Sequence, residues 1–95
     1  MVDKKFVLVV YDIPSNKRRT RLHKCLKDFG TPVQYSVFEC LLTPKNFGKM
    51  KKAVRKILRP RLDHVRYYQV CANCMEKIEI LGRHEVTVEP EVLIV

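Results

Sequence analysis

The stretch Phe6-Val-Leu-Val-Val-Tyr-Asp12 decides how the rest of the chain is arranged. Its six residues before the aspartate are all apolar or aromatic and rich in β-branched side chains, a run too short for a helix. A strand apolar on both faces belongs in the middle of a sheet, with helices over one side and some other cover over the second. Asp12 ends it, and Pro14-Ser15 marks a turn in which Ser15 suits a helix N-cap. Leu22, Cys25, Leu26 and Phe29 then recur at i, i+3, i+4 and i+7 up to Gly30, a natural C′ residue, with Pro32 shortly beyond. That spacing predicts an amphipathic helix whose basic residues lie on the outer face.

Further on, Val33, Tyr35 and Val37 alternate with Gln34 and Ser36, after which the phase slips by one and Phe38, Cys40 and Leu42 carry the apolar positions. Such a slip predicts a bulge or a tight turn between two strands near Val37. Thr43-Pro44 is an N-cap followed by Pro at the first helical position, and Phe47, Met50, Val54, Ile57 and Leu58 define a second amphipathic helix that Pro60 stops. His64 to Val70 is strand-like, Cys71 to Leu81 is mixed, and the tail from Glu85 is strand-like again. The order β-α-β-β-α-β plus a C-terminal strand predicts an α+β fold of the ferredoxin-like kind, an antiparallel sheet with two helices on one face. The second face then lacks cover, although the first strand is apolar there too. A second copy of the chain is the expected cover, with residues 83–95 as a tail used in dimerisation.

Residues 1–95 make a single domain, since a chain of 11.2 kDa holds only one hydrophobic core. A domain this small is marginal alone, which again favours a homodimer. With 46% hydrophobic and 31% charged residues it is a folded globule rather than a disordered tail. The longest apolar run falls far short of the ~20 residues of a membrane span, and no leader pattern opens the chain. A soluble, cytoplasmic protein with no membrane partner is expected.

Charge is unevenly spread. Lys17 to Arg66 holds fifteen Lys and Arg against Asp28, Glu39 and Asp63, a net of +12, whereas Tyr67 onward is net −3. A basic middle of this density suits a polyanion, and nucleic acid is the leading class of partner. The bland alternative is that these residues only solvate two helices. The four cysteines are too sparse for a disulfide scaffold, but Cys71-Ala-Asn-Cys74 has C-x-x-C spacing. Zinc would need two more ligands, and Cys25 and Cys40 stand isolated on their own elements. A redox role would need the pair at a helix start after a strand, with the first thiol exposed.

Val10-Tyr11-Asp12-Ile13, the arginines Arg18, Arg19 and Arg21, Gly30, and Gln34-Tyr-Ser-Val-Phe-Glu39 together resemble the small CRISPR-associated endoribonucleases, the Cas2 family, over essentially the whole chain. Arg66-Tyr-Tyr-Gln-Val-Cys71, Cys74 and Ile78-Glu-Ile-Leu-Gly82 look like the later half of many members. The resemblance implies a ferredoxin-like homodimer whose first strands bring two aspartates together at the two-fold. It implies a nuclease acting on RNA or DNA phosphodiesters with Mg²⁺, and a dimeric scaffold for spacer integration with the CRISPR integrase, Cas1. Carried over residue by residue, the metal and catalytic group is Asp12, and the nucleic-acid-binding residues are Tyr11, Arg18, Arg19, Arg21 and Phe38. Some members carry a basic residue shortly before the glutamine, where this chain has Pro32, so a phosphate contact there is lost or moved.

The residue types suit that chemistry. Mg²⁺ keeps several waters and takes one or two carboxylates plus substrate phosphate, so two symmetry-related Asp12 side chains would suffice. Against this stands Asp12 as a cap of the following turn, a frequent job for Asp before Pro. Tyr35 and Phe38 have an alternative as ordinary sheet aromatics, and His23, His64 and His84 receive no role. The competing function is a non-catalytic scaffold that holds nucleic acid on its basic helices and bridges integrase subunits. A single-stranded RNA module with the same element order would carry the aromatic signature of such domains on a central strand, and the chain has none.

Overall fold

The computed structural model describes residues 4–81. β1 (Lys5–Asp12) is the central strand, paired antiparallel with β3 (Val37–Leu42) on one side and β4 (His64–Val70) on the other. β2 (Gly30–Gln34) adds to β3, giving the order β2-β3-β1-β4. The two connections that cross the sheet are α1 (Asn16–Lys27) and α2 (Pro44–Ile57), so the architecture is the ferredoxin-like α+β arrangement. The expected C-terminal strand and dimerisation tail at 83–95 lie outside the described residues.

Strand alternation assigns the two faces. Val7, Val9 and Tyr11 of β1 and Phe38, Cys40 and Leu42 of β3 point to the helices, where Leu22, Leu26, Met50 and Val54 meet them in one buried cluster. Burying each such aliphatic side chain contributes roughly 1.5–3 kcal/mol relative to exposure. The residues between them, Leu8 and Val10 on β1, Leu41 on β3 and Tyr68 on β4, face the other way and keep part of their surface exposed. A short helix, α3 (Ala72–Glu76), packs on β1, and Phe6, which alternation places on this second face, is buried.

Local chemistry explains most boundaries. Ser15 caps α1, its hydroxyl accepting from the Arg18 N–H at 3.2 Å, and Thr43 caps α2 by accepting from the Asn46 N–H at 3.1 Å, with Pro44 opening the helix. The phase slip at Val37 is a two-residue turn, Tyr35-Ser36, with a register shift between Pro32 and Gln34. Ser36 has φ of 65°, a left-handed conformation uncommon for a residue with a side chain.

Gly30 corrects the sequence reading. The helix ends at Lys27 with Asp28 as its C-cap, and Gly30 is instead the first residue of β2. A Cβ there would collide with Cys40 Sγ and the Glu39 carbonyl oxygen, so glycine is required by close approach of the neighbouring strand. The mixed stretch after β4 contains α3, which the sequence pattern did not predict. Among the described residues no helix is long and apolar enough to cross a membrane.

Candidate nucleic-acid interface

Asp12 is the last residue of β1 and is exposed on the face away from the helices. Its backbone is held in place from three directions. In the β1–β4 ladder Asp12 stands opposite His64; the preceding Tyr11 N–H donates to the Ser36 carbonyl at 3.1 Å; and Arg19 Nη1 donates to the Ile13 carbonyl at 2.8 Å. The strained Ser36 turn and the α1 arginine therefore both fix the strand end that presents the carboxylate. Among the described residues the Asp12 side chain makes no hydrogen bond or ion pair, and the capping duty belongs to Ser15. A turn-capping role for Asp12 is thus not what the fold uses.

Around that carboxylate lies an open depression of about 400 Å³ lined by Val10, Tyr11, Asp12, His64, Arg66 and Tyr68. His64, Arg66 and Tyr68 are exposed, and they alternate with Val65 and Tyr67, which pack on the helix-side core. Arg66 Nη1 lies 3.4 Å from the Tyr68 hydroxyl. The sequence alone gives none of the three a role in this site. Period-two alternation from His64 to Tyr68 was the available signal, because it puts these three side chains on one face once β4 is paired to β1. A carboxylate, an imidazole, a guanidinium and a phenol here offer oxygen ligation, proton exchange and phosphate pairing within one depression.

Tyr11 occupies the opposite face, since adjacent strand residues alternate. It is 5% exposed, with its ring centroid 6.4 Å from that of Phe38. Burial pushes its phenol above the ordinary range, and nearby Arg19 opposes that shift. A smaller cleft of about 220 Å³ between α1 and the β2–β3 turn is lined by Tyr11, Arg19, Thr20, His23, Gln34, Tyr35 and Ser36. Phe38 has 0% exposure and is stacked edge-on by His23, so it offers no face to a base and belongs to the core. Tyr35, at 86% exposure, is the aromatic that reaches solvent at this turn.

The three arginines of α1 diverge. Arg21 is exposed on the outer face with Lys17, Lys24 and Lys27. Arg19 divides between the Ile13 carbonyl and the cleft. Arg18 turns inward, its Nε and Nη2 donating to the two carboxylate oxygens of buried Asp63 at 2.7 and 2.9 Å, so its fork is occupied by protein. Asp63 also accepts from the Arg59 N–H at 2.9 Å. The basic helix faces are otherwise open: on α2, Lys45, Lys49, Lys52, Arg55 and Lys56 are exposed, while Lys51 Nζ lies 4.4 Å from the Phe47 ring centroid.

Fold and surface together define a class: a small ferredoxin-like domain with two basic helices on one face of its sheet and an exposed carboxylate at the end of the central strand on the other. The family model of CRISPR associated protein Cas2 matches residues 5–78. The CRISPR-associated endoribonuclease Cas2 3 of Synechocystis sp. is 35% identical over 88 residues, covering 93% of this chain and 96% of that protein. The CRISPR-associated endonuclease Cas2 2 of Thermus thermophilus is 37% identical over 79 residues, covering 83% of each. Among solved structures, Streptococcus pyogenes Cas2 superposes with a TM-score of 0.72 at 35% identity, over 81% of this chain and 99% of that one. A hypothetical protein of Thermus thermophilus reaches a TM-score of 0.78 at 34% identity, over 90% of this chain and 99% of that one. The chain belongs to the Cas2 family.

Proposed function

We propose that this protein is a Mg²⁺-dependent endonuclease cleaving RNA or DNA phosphodiesters, and that its homodimer is the central piece of a CRISPR spacer-acquisition complex with the Cas1 integrase. The observation that carries the nuclease reading is Asp12, an exposed carboxylate without a protein partner among the described residues, presented by a strand end that two other elements hold rigid. The names of the relatives, endoribonuclease and endonuclease, support the same activity.

Among the described residues no three His, Cys, Asp or Glu gather to hold a metal ion. Among the described residues Asp12 is the carboxylate that lines the depression, and a hydrated Mg²⁺, which takes one or two carboxylates, would be held by it together with the Asp12 that a second copy brings across the open face. A bound Mg²⁺ would polarise the scissile phosphate and lower the pKa of a coordinated water. The chain's own groups do the rest. Asp12 would hold the ion, Arg66 would neutralise a phosphate oxygen at the rim, and the His64 imidazole, which lines the same depression, would take or return a proton. The exposed cations of α1 and α2, Arg21 among them, would bind the phosphate backbone without reading sequence.

The scaffold reading, a dimer that holds nucleic acid and bridges integrase subunits without cutting, is favoured by Asp12 being the one carboxylate that lines this depression among the described residues. Cleavage of labelled RNA and duplex DNA in Mg²⁺ or in EDTA, with wild type beside Asp12→Ala, separates the two. Mg²⁺-dependent cutting lost in Asp12→Ala supports the nuclease. Tight binding with no cutting by wild type supports the scaffold.

A further inference from the structure

Cys71 and Cys74 take no part in the site above. β4 ends at Val70, Cys71 leaves the sheet in extended backbone as the N-cap residue of α3, and Cys74 follows one turn on. These are the positions at which a cap and its reciprocal partner lie side by side. The Cys74 N–H donates to Cys71 Sγ at 3.4 Å. Both side chains are exposed. The strand before the pair, the turn into a helix and the open first thiol are the three conditions that the spacing alone left unanswered.

The remaining cysteines provide the contrast. Cys40 is buried, its thiol pushed up to about 12 by desolvation, and Cys25 is half-buried and shifted upward for the same reason. Cys71 moves the other way, downward from the ordinary thiol value, chiefly because the Cys74 N–H donates to its sulfur. Cys74 is raised by the same pairing. The two sulfurs are thus differentiated, with Cys71 the readier of the two to give up its proton.

We propose that Cys71 and Cys74 are a redox-active dithiol that closes reversibly into an intramolecular disulfide by exchange with a low-molecular-weight disulfide such as oxidised glutathione. The Cys71 thiolate attacks one sulfur of that disulfide, expelling one glutathione thiolate and forming a mixed disulfide on Cys71. Cys74 then gives up its proton to water, and its thiolate attacks Cys71 Sγ, expelling the second glutathione thiolate. Two electrons pass from the protein thiols to the small disulfide, and two glutathione thiols are the other product. Zinc is the rival use of such a pair, but among the described residues no third ligand stands near enough to make a group of three.

The test equilibrates reduced full-length protein in anaerobic buffers with increasing ratios of oxidised to reduced glutathione. Samples are quenched in acid, alkylated under denaturing conditions and weighed by mass spectrometry. The expected result is loss of two alkylatable thiols per chain in one step, with a mass lower by two alkyl groups than the fully alkylated reduced chain and the bond mapped to the Cys71–Cys74 peptide. Cys25 and Cys40 should remain alkylatable throughout. Cys74→Ser should accumulate a stable glutathione adduct on Cys71, and Cys71→Ser should accumulate far less on Cys74. Adducts persisting on both cysteines of wild type, a disulfide joining two chains on a non-reducing gel, or stoichiometric Zn²⁺ that shields both thiols after dialysis against a chelator would each overturn the proposal.

Discussion

Asp63→Asn is a sharp test of the packing that carries the site, because the change keeps the side chain's shape while removing its charge and turning one acceptor oxygen into a donor. Asp63 Oδ2 accepts from Arg18 Nε and the Arg59 N–H, and Oδ1 accepts from Arg18 Nη2, so two oxygens serve three donors. An asparagine oriented with its oxygen at the Oδ2 position keeps two bonds and turns its amide N–H₂ against Nη2. One charge-assisted hydrogen bond is lost outright and two are weakened, which costs about 2 kcal/mol on the scale of 1.5–3 kcal/mol for such bonds. That is a large share of the ~5–15 kcal/mol by which a domain is stable.

Urea unfolding followed by circular dichroism at pH 7 should show a lower midpoint with an unchanged slope. The pH dependence has a definite sign. The Arg18 hydrogen bond, aided by the Arg59 N–H, holds the Asp63 carboxyl below its ordinary range in the folded state. The stabilisation from its charge is therefore fully present above the unfolded carboxylate pKa of ~3.9 and is lost as pH falls through the lower folded value. The gap between wild type and Asp63→Asn should close in that acid window. Equal midpoints at pH 7, or a gap unchanged well below pH ~3, would refute the reasoning.

Three further outcomes follow from the same structure. Nucleic-acid affinity should drop by orders of magnitude between about 50 and 200 mM salt, with little preference among scrambled sequences, because the exposed cations lie on helix faces; a flat salt response in a filter-binding assay contradicts this. Gly30→Ala should destabilise the fold by about 1–3 kcal/mol in urea unfolding, since the new methyl meets the backbone carbonyl of Glu39 as well as Cys40 Sγ; a neutral effect would show that β2 yields. Leu8→Glu, placed opposite Tyr68 on the open face, should shift sedimentation from a dimer towards the 11.2 kDa monomer; an unchanged dimer would move the interface elsewhere.

What the sequence made legible is whatever rests on neighbours a few residues away. The apolar run ending at Asp12, the caps Ser15 and Thr43 and the phase slip before Val37 are all set by local chemistry, and each sits where the pattern puts it. What the local pattern does not report has a different origin. Gly30 followed by Pro32 looks like a helix stop, but its reason is Cys40 on the adjacent strand. Arg18, Arg19 and Arg21 look alike in sequence, and only the distant Asp63 turns the first of them inward. Phe38 lies in a stretch that resembles family motif residues, yet strand alternation sends it to the helix-side core. His64, Arg66 and Tyr68 share one face by local alternation, but only the β1–β4 register brings that face beside Asp12.

The central claim is that hydrolysis depends on the Asp12 carboxylate while nucleic-acid binding depends on the helices. One comparison isolates it: wild type and Asp12→Asn, with cleavage rate under saturating protein, duplex and RNA affinity, and dimer mass taken on the same preparations. Asparagine keeps the size and hydrogen-bonding reach of the side chain but is a much poorer ligand for a hard divalent cation. The account predicts that Asp12→Asn loses Mg²⁺-dependent cleavage by at least ~10²-fold while affinity, dimerisation and unfolding midpoint stay at wild-type values. Full cleavage by Asp12→Asn would contradict it.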